Sequence, residues 1–145
     1  MLEEDLEHYL SIFTAWAEDK GYFVFFEEDV DDCICPISKL IEINSSASLR
    51  QQVYCLLHEC GHALIIDNGS FWEYPKKKLL DSVELSPTSE RKLSDSERVF
   101  TVVEEIEAWK RGFKLSERLK IPVDKKEWEA EMIDAIKKYI DWAAN

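Results

Sequence analysis

Residues 49–66 read LRQQVYCLLHECGHALII and form the clearest helical pattern in the chain. The residues before them, 44–48, read NSSAS and are side-chain types that favour the start of a helix. From Cys55 onward, apolar residues occupy both faces. We therefore predict a helix from about residue 48 to 66, with its second half buried on nearly all sides. Its main apolar stripe consists of Leu49, Val53, Leu56, Leu57, Cys60 and Leu64.

Within this helix, residues 58–62 read His-Glu-Cys-Gly-His, which is an H-E-x-x-H motif. His58 and His62 are one helical turn apart, so both imidazoles can reach one ion, and imidazole is a good ligand for Zn²⁺. Glu59 lies one position round the helix, from where it can take a proton from a water molecule at the metal. Gly61 is small and allows another element to approach closely. The motif predicts a metal site with Glu59 as general base.

A zinc site of this kind needs a third protein ligand, and residues 102–112, VVEEIEAWKRG, supply three glutamates. Glu105 is the first candidate for the third ligand, because it borders an apolar stripe and has small neighbours. Glu104 ranks second, and Glu107 ranks third because it shares a side with basic residues, as on a solvated face. His8, on an acidic first helix, ranks below them, and all three glutamates could also be ordinary solvated side chains. The stripe expected to face the core consists of Val99, Val102, Val103, Ile106, Trp109 and Phe113.

The remaining segments predict an α+β fold that is mostly helical and has a small antiparallel β-sheet. Apolar spacing predicts a first helix over residues 2–20, and short β-branched and aromatic runs predict strands at 22–26 and within 33–44. The second ligand helix is expected at about 97–119, and a C-terminal helix at about 124–143. A chain of 145 residues is the size of one ordinary domain, so we expect a single domain over its whole length.

Two further stretches are candidates for contact with a substrate. The long loop-like stretch at 67–97 contains Phe71, Trp72 and Tyr74, which could form a wall for a substrate side chain or a plug over the core. Its run of three lysines is typical of a solvated segment. The strand expected around 39–44 would lie at the edge of the sheet, where an extended peptide can pair with it.

The composition limits the classes of partner. A formal net charge of −12, from 18 Lys+Arg against 30 Asp+Glu, argues against binding to nucleic acid or to an anionic membrane. An apolar content of 46% is enough for a core without disulfides. The chain has no export signal and no membrane-length apolar run, so we expect a cytoplasmic protein. The thiols expected to be reduced and mostly buried are Cys33, Cys35, Cys55 and Cys60.

An H-E-x-x-H helix followed some forty residues later by a glutamate on a second helix resembles the gluzincin group of zinc metallopeptidases. The order of helix, short sheet, H-E-C-G-H helix, loop and E-I-E-A helix at 105–108 is more closely similar to the ImmA/IrrE family and its small phage-encoded relatives. The resemblance implies a compact minimal zincin that binds zinc through His58, His62 and Glu105. It also implies Glu59 as general base and an intracellular protein or peptide as substrate.

Several alternatives stay open at this point. The donor for the oxyanion of a tetrahedral intermediate could be Tyr54, Tyr74 or Arg111. The chain could also be a catalytically silent binding or regulatory protein with a structural zinc, or an acidic mimic of DNA, although the latter leaves H-E-C-G-H unexplained. The presence of Glu59 favours the enzyme, because a structural site has no need of that acid. The sequence specifies neither the oligomeric state nor the metal bound in the cell.

Overall fold

The computed structural model describes residues 3–68 and 94–145. This part of the chain contains four α-helices and three short strands, which confirms the expected mostly helical α+β architecture. None of these helices combines the length and apolar character needed to cross a membrane. The expected substrate wall of Phe71, Trp72 and Tyr74 and the lysine run lie outside the described residues. The elements are a 3₁₀ turn at Glu3–Asp5, α1 (Leu6–Asp19), β1 (Phe23–Glu27), β2 (Cys33–Cys35), β3 (Leu40–Asn44), α2 (Leu49–Asp67), α3 (Asp95–Arg118) and α4 (Lys125–Ala144).

The sheet is mixed, so the prediction of an antiparallel sheet is wrong for one of its two strand pairs. β3 lies in the centre, antiparallel to β2 and parallel to β1, with Phe23 opposite Leu40. The region 33–44 forms two strands rather than one. The chain therefore reverses direction twice between β1 and β3, and two reversals make these strands parallel. The expectation that the strand around 39–44 forms an edge is also wrong, because β3 has a neighbour on each side.

One face of the sheet packs into the core. Ile41 and Ile43 of β3 are fully buried, and α1 and α2 contribute to the same apolar cluster. The opposite face leaves Phe23 and Phe25 exposed. All four cysteines are free, but only Cys60 is buried, so the expectation of mostly buried thiols is wrong. Cys33 lies opposite Glu42 and is exposed, and Cys35 lies opposite Leu40 and is half-buried.

The helix that carries H-E-C-G-H begins with the expected type of cap. The side chain of Ser48 accepts a hydrogen bond from the Gln51 backbone N–H, which satisfies one of the free donors of the first turn. The apolar second half of α2 is buried, as its composition requires, and Cys60 has no exposed surface. α3 begins with a capping box in which Ser94 and Glu97 exchange hydrogen bonds, so its start is also fixed locally.

α2 and α3 pack backbone against backbone. A Cβ atom built on Gly61 would overlap the carbonyl oxygen of Ala108 and lie 2.8 Å from its carbonyl carbon. A Cβ atom on Gly112 would lie 2.9 Å from the carbonyl oxygen of Leu57. Glycine is therefore required at Gly61 because any side chain would occupy the space of the neighbouring backbone. The small size of Gly61 has the consequence expected from the sequence.

The face of α3 that enters the core differs from the predicted apolar stripe. Val99 is 58% exposed and Val103 is 42% exposed, so the prediction is wrong for these two positions. Branched side chains would hold the helices too far apart for the close contact at Gly61. The face buried instead combines small residues and carboxylates and consists of Thr101, Glu104, Glu105, Ala108 and Gly112, with Trp109 beside it.

α4 packs antiparallel to α3. Arg98, near the start of α3, donates a hydrogen bond to the carbonyl oxygen of Ala143 at 3.4 Å, near the end of α4. Trp128, near the start of α4, donates from Nε1 to the carbonyl oxygen of Trp109 at 2.9 Å. Trp128 is buried in the main apolar cluster, so α4 covers the side of α3 next to the ligand candidates.

Candidate metal centre

Two histidines of α2 and one glutamate of α3 converge on a single point. The ligand atoms of His58, His62 and Glu105 all lie within 4.8 Å of one another. One oxygen of the Glu105 carboxylate, Oε2, is 3.0 Å from His58 Nε2, and the other, Oε1, is 3.0 Å from His62 Nε2. The helical spacing of the two histidines places their rings side by side, with centroids 4.7 Å apart. The first-ranked glutamate is therefore the one that meets both imidazoles.

Glu59 lies beside this group without belonging to it. Its side chain is 6% exposed, and its Oε1 is 3.5 Å from His58 Nδ1, the ring nitrogen that does not contact Glu105. The carboxylate is thus close to the cluster but placed on the other side of the His58 ring. Glu59 is therefore a buried acid next to the cluster and outside the ligand group.

The other two glutamates of α3 have different surroundings. Glu104 is buried, and its Oε1 is 3.7 Å from His62 Nδ1. Glu107 forms an ion pair with Arg111 at 2.8 Å, one helical turn away. The ion pair agrees with the expectation, although both side chains are half-buried rather than fully solvated. It also occupies Arg111, which was one of the candidate oxyanion donors. His8 is exposed on α1 and does not belong to the metal-ligand group.

A series of aromatic contacts supports the first histidine. The indole of Trp109 stacks on the His58 ring with centroids 4.5 Å apart and an interplanar angle of 20°. Trp128 packs against Trp109 at 4.6 Å, and Tyr54 meets Trp128 edge-on at 5.5 Å. The Tyr54 hydroxyl donates to Glu127 at 2.8 Å, so it is engaged at the far end of this series and not at the cluster. These contacts fix the orientation of the His58 ring.

Sequence reasoning missed Tyr139 of α4 as a neighbour of the cluster. Its hydroxyl faces the Glu105 carboxylate, and burial together with the charges of Glu105 and Glu59 raises the pKa of Tyr139. The phenol therefore stays protonated and can donate to Glu105 or to another oxygen in the same space. Helical spacing alone places either Tyr139 or Ile140 on the buried side of α4. Because Ile140 is exposed, the inward position belongs to the tyrosine.

The cluster shares protons when no metal is bound. Burial alone would lower the pKa of His62, but Glu105 and Glu104 outweigh burial and raise it well above its ordinary value. The pKa of His58 is raised for the same reason, mainly by Glu105 against the effect of burial. Burial would raise the pKa of Glu105, but the two histidines lower it far below its usual range. A metal ion at this point would replace protons on the imidazoles.

We expect these shifts to set the pH dependence of the metal-free protein. The pKa of His62 is higher in the folded chain than its unfolded value of 6.5, so its contribution to stability is complete below about pH 6.5 and disappears as the pH rises through the folded-state pKa. Glu105, whose pKa is lowered from 4.5, contributes above that pH and loses its contribution as the pH falls toward the folded-state pKa. The chelator-treated protein should therefore have its highest Tm between about pH 4.5 and 6.5.

Thermal melts across a pH series, with and without added zinc, measure this dependence. His62→Gln serves as the control, because its Tm should fall much less than that of the wild type above about pH 6.5. The increase in Tm caused by zinc should grow with pH, because the metal binds neutral imidazole. A Tm of the metal-free protein that rises steadily from about pH 6.5 to 8.5 would contradict the proposed proton sharing.

The donor set suits zinc. Two imidazole nitrogens and one carboxylate are a common ligand set of catalytic zinc sites, which keep a further position for water. The same donors also accept other first-row divalent ions. No family model, no curated protein and no solved structure matches this chain.

Proposed function

We propose that the protein is a zinc-dependent peptidase of the minimal zincin type, acting on an intracellular protein or peptide. One observation carries this proposal. His58, His62 and Glu105 bring three ligand atoms within 4.8 Å of one another, while a fourth buried acid, Glu59, lies beside them and outside the ligand group. A site that only held the fold together would need the first three residues but not the fourth.

The residues of the chain divide the chemistry of amide hydrolysis between them. His58, His62 and Glu105 would hold the ion. When bound, Zn²⁺ supplies a Lewis acid that activates water and polarises the substrate carbonyl. The Glu59 carboxylate would accept the proton released from the attacking water and pass it to the nitrogen of the leaving amine. The Glu59 side chain is buried, which keeps this carboxylate away from bulk solvent.

We propose that β2, rather than the strand around 39–44, is where an extended substrate pairs. β2 lies at one side of the three-stranded sheet, and among the described elements no strand pairs with its outer edge. β2 packs against α2, the helix that carries Glu59, and burial together with the Glu59 carboxylate raises the pKa of Cys33 to about 11. A peptide added to that edge by backbone hydrogen bonds would pass close to Glu59.

Glu59→Gln is the variant that tests the proposal. We expect it to bind zinc as the wild type does and to keep its Tm within a few degrees, because glutamine fills the same space. Hydrolysis of an unfolded protein substrate should fall by roughly 10²–10⁴-fold, the range for loss of a general base. The measurements are zinc content, thermal melting and peptide release analysed by mass spectrometry.

Glu107→Gln is the matched control, because Glu107 pairs with Arg111 and not with either histidine of the cluster. It should retain both zinc and activity. If Glu59→Gln hydrolyses substrate at the wild-type rate, Glu59 is not the base. If the wild-type protein binds zinc tightly but cleaves neither a diverse peptide mixture nor itself, the alternative of a structural zinc in a silent binding protein replaces the peptidase.

A further inference from the structure

Glu104 is a buried acid that the proposed hydrolysis does not use. Its side chain is 9% exposed, as is that of His62. Of the residues that the structure describes, His62 is the one that forms an ion pair with it, between Glu104 Oε1 and His62 Nδ1 at 3.7 Å. A buried carboxylate is costly unless it is paired, so the position of this side chain requires an explanation.

The explanation lies in the two nitrogens of the His62 ring. Nε2 is 3.0 Å from Glu105 and points to the place where the ligand atoms converge. Nδ1 is on the other side of the ring and faces Glu104. A neutral imidazole that binds a metal through Nε2 carries its proton on Nδ1, and that proton needs an acceptor. Glu104 is the acidic side chain that faces it, with Oε1 at 3.7 Å from Nδ1, and a small movement of either side chain brings the two atoms within hydrogen-bond distance.

We propose that Glu104 is a positioning residue that holds the His62 ring through Nδ1 and keeps Nε2 directed at the metal. This inference rests on the metal centre of the proposed function but not on peptide hydrolysis. The carboxylate fixes the protonated nitrogen of His62 and makes the ring a better donor. The adjacent carboxylates of α3 then have separate tasks, because Glu105 would bind the ion and Glu104 would orient a ligand of the ion.

The two glutamates should respond differently to a change to glutamine. A glutamine side chain at position 104 keeps an oxygen that can accept from Nδ1–H, so Glu104→Gln should bind zinc nearly as well as the wild type. Glu104→Ala removes the acceptor and should weaken zinc binding by about 10–100-fold, the range for loss of an outer-shell partner. Glu107→Ala, on the same helix, should leave zinc affinity unchanged.

The experiment combines competition against a zinc chelator with ¹H–¹⁵N spectra of the histidine rings, recorded with and without zinc. In the wild type and in Glu104→Gln we expect a His62 Nδ1 proton that exchanges slowly with water, and in Glu104→Ala we expect it to be lost. These spectra apply to the metal-free protein as well, so they test the contact even if the chain binds no zinc. Circular dichroism shows that each variant is folded.

Equal zinc affinity in Glu104→Ala and the wild type would overturn the inference. An unchanged His62 Nδ1 proton in folded Glu104→Ala would overturn it too, with or without metal. Failure of the wild type to hydrolyse peptides would count against the proposed function alone. Weaker zinc binding in Glu104→Ala, together with near wild-type binding in Glu104→Gln, would support the inference. This holds whether or not the protein proves to be a peptidase.

Discussion

Gly61→Ala is expected to destabilise the protein severely and to abolish zinc binding. The added methyl group would overlap the carbonyl oxygen of Ala108, and the neighbouring carbon and Cα atoms would lie 2.8 Å and 3.2 Å away. All three are backbone atoms, so α2 and α3 must separate. Ordinary overpacking costs about 1–3 kcal/mol, and we expect this substitution to exceed that range, a loss on the order of 10 °C in Tm.

The separation should also damage the metal centre, because α2 carries His58 and His62 while α3 carries Glu105. Gly112→Ala is the graded control, since its methyl group would lie 2.9 Å from the Leu57 carbonyl oxygen and 3.2 Å from a carbon of the Trp128 side chain. Gly112→Ala should lower the Tm and the zinc affinity less than Gly61→Ala does. Thermal melts and zinc titrations of both variants test whether Gly61→Ala has the larger effect. A Gly61→Ala protein with wild-type Tm and zinc affinity would show that the two helices are not packed as described.

Glu105→Ala is expected to cause the largest loss of zinc affinity of any single change outside the two histidines. It removes the carboxylate that lies 3.0 Å from Nε2 of both rings. Loss of an outer-shell partner costs up to about 100-fold, so loss of a ligand should cost at least that much. Glu105→Gln should not restore the affinity, because the charge that favours a divalent cation is gone. Competition against a zinc chelator measures the zinc affinity of both variants.

The two other glutamates of the helix are the internal controls. Glu107→Ala should bind zinc as the wild type does. The zinc affinity of Glu104→Ala should lie between those of Glu107→Ala and Glu105→Ala. In the metal-free protein, Glu105→Gln should also lower the pKa of His62, because Glu105 is the main group that raises it. If Glu105→Ala retains zinc while Glu104→Ala loses it, the ligand assignment is wrong and the two carboxylates exchange roles.

The local pattern of the sequence predicted most of what depends on neighbours along the chain. The helix expected at about 48–66 corresponds to Leu49–Asp67, and its cap lies where the serines indicated. The pairing of β1 with β3 could not be predicted in the same way, because strand direction depends on a chain reversal between β2 and β3 that the apolar pattern of 33–44 does not show. Non-local pairing follows from topology rather than from periodicity.

The candidate site was predictable where residues are close in sequence and less so where they come from different helices. H-E-C-G-H places two imidazoles on one side of α2 by helical spacing alone. The burial of α3 was misjudged because apolar side chains were expected inward. Close packing at Gly61 instead favours small residues, and the histidines of α2 compensate the buried carboxylates. Helical spacing places Tyr139 or Ile140 on the buried side of the last helix, but nothing in the sequence marks the tyrosine as a neighbour of Glu105.

The aromatic contacts between α3 and α4 make the C-terminal helix part of the support of the proposed metal centre. α4 supplies none of the proposed ligands, yet Trp128 supports Trp109, which in turn lies against His58. The same helix carries the phenol that faces Glu105. A shortened chain that ended after α3 would keep every proposed ligand and the proposed base. It would lose Trp128 and Tyr139, which pack behind them. The smallest fragment that preserves the proposed metal centre therefore extends through the last helix.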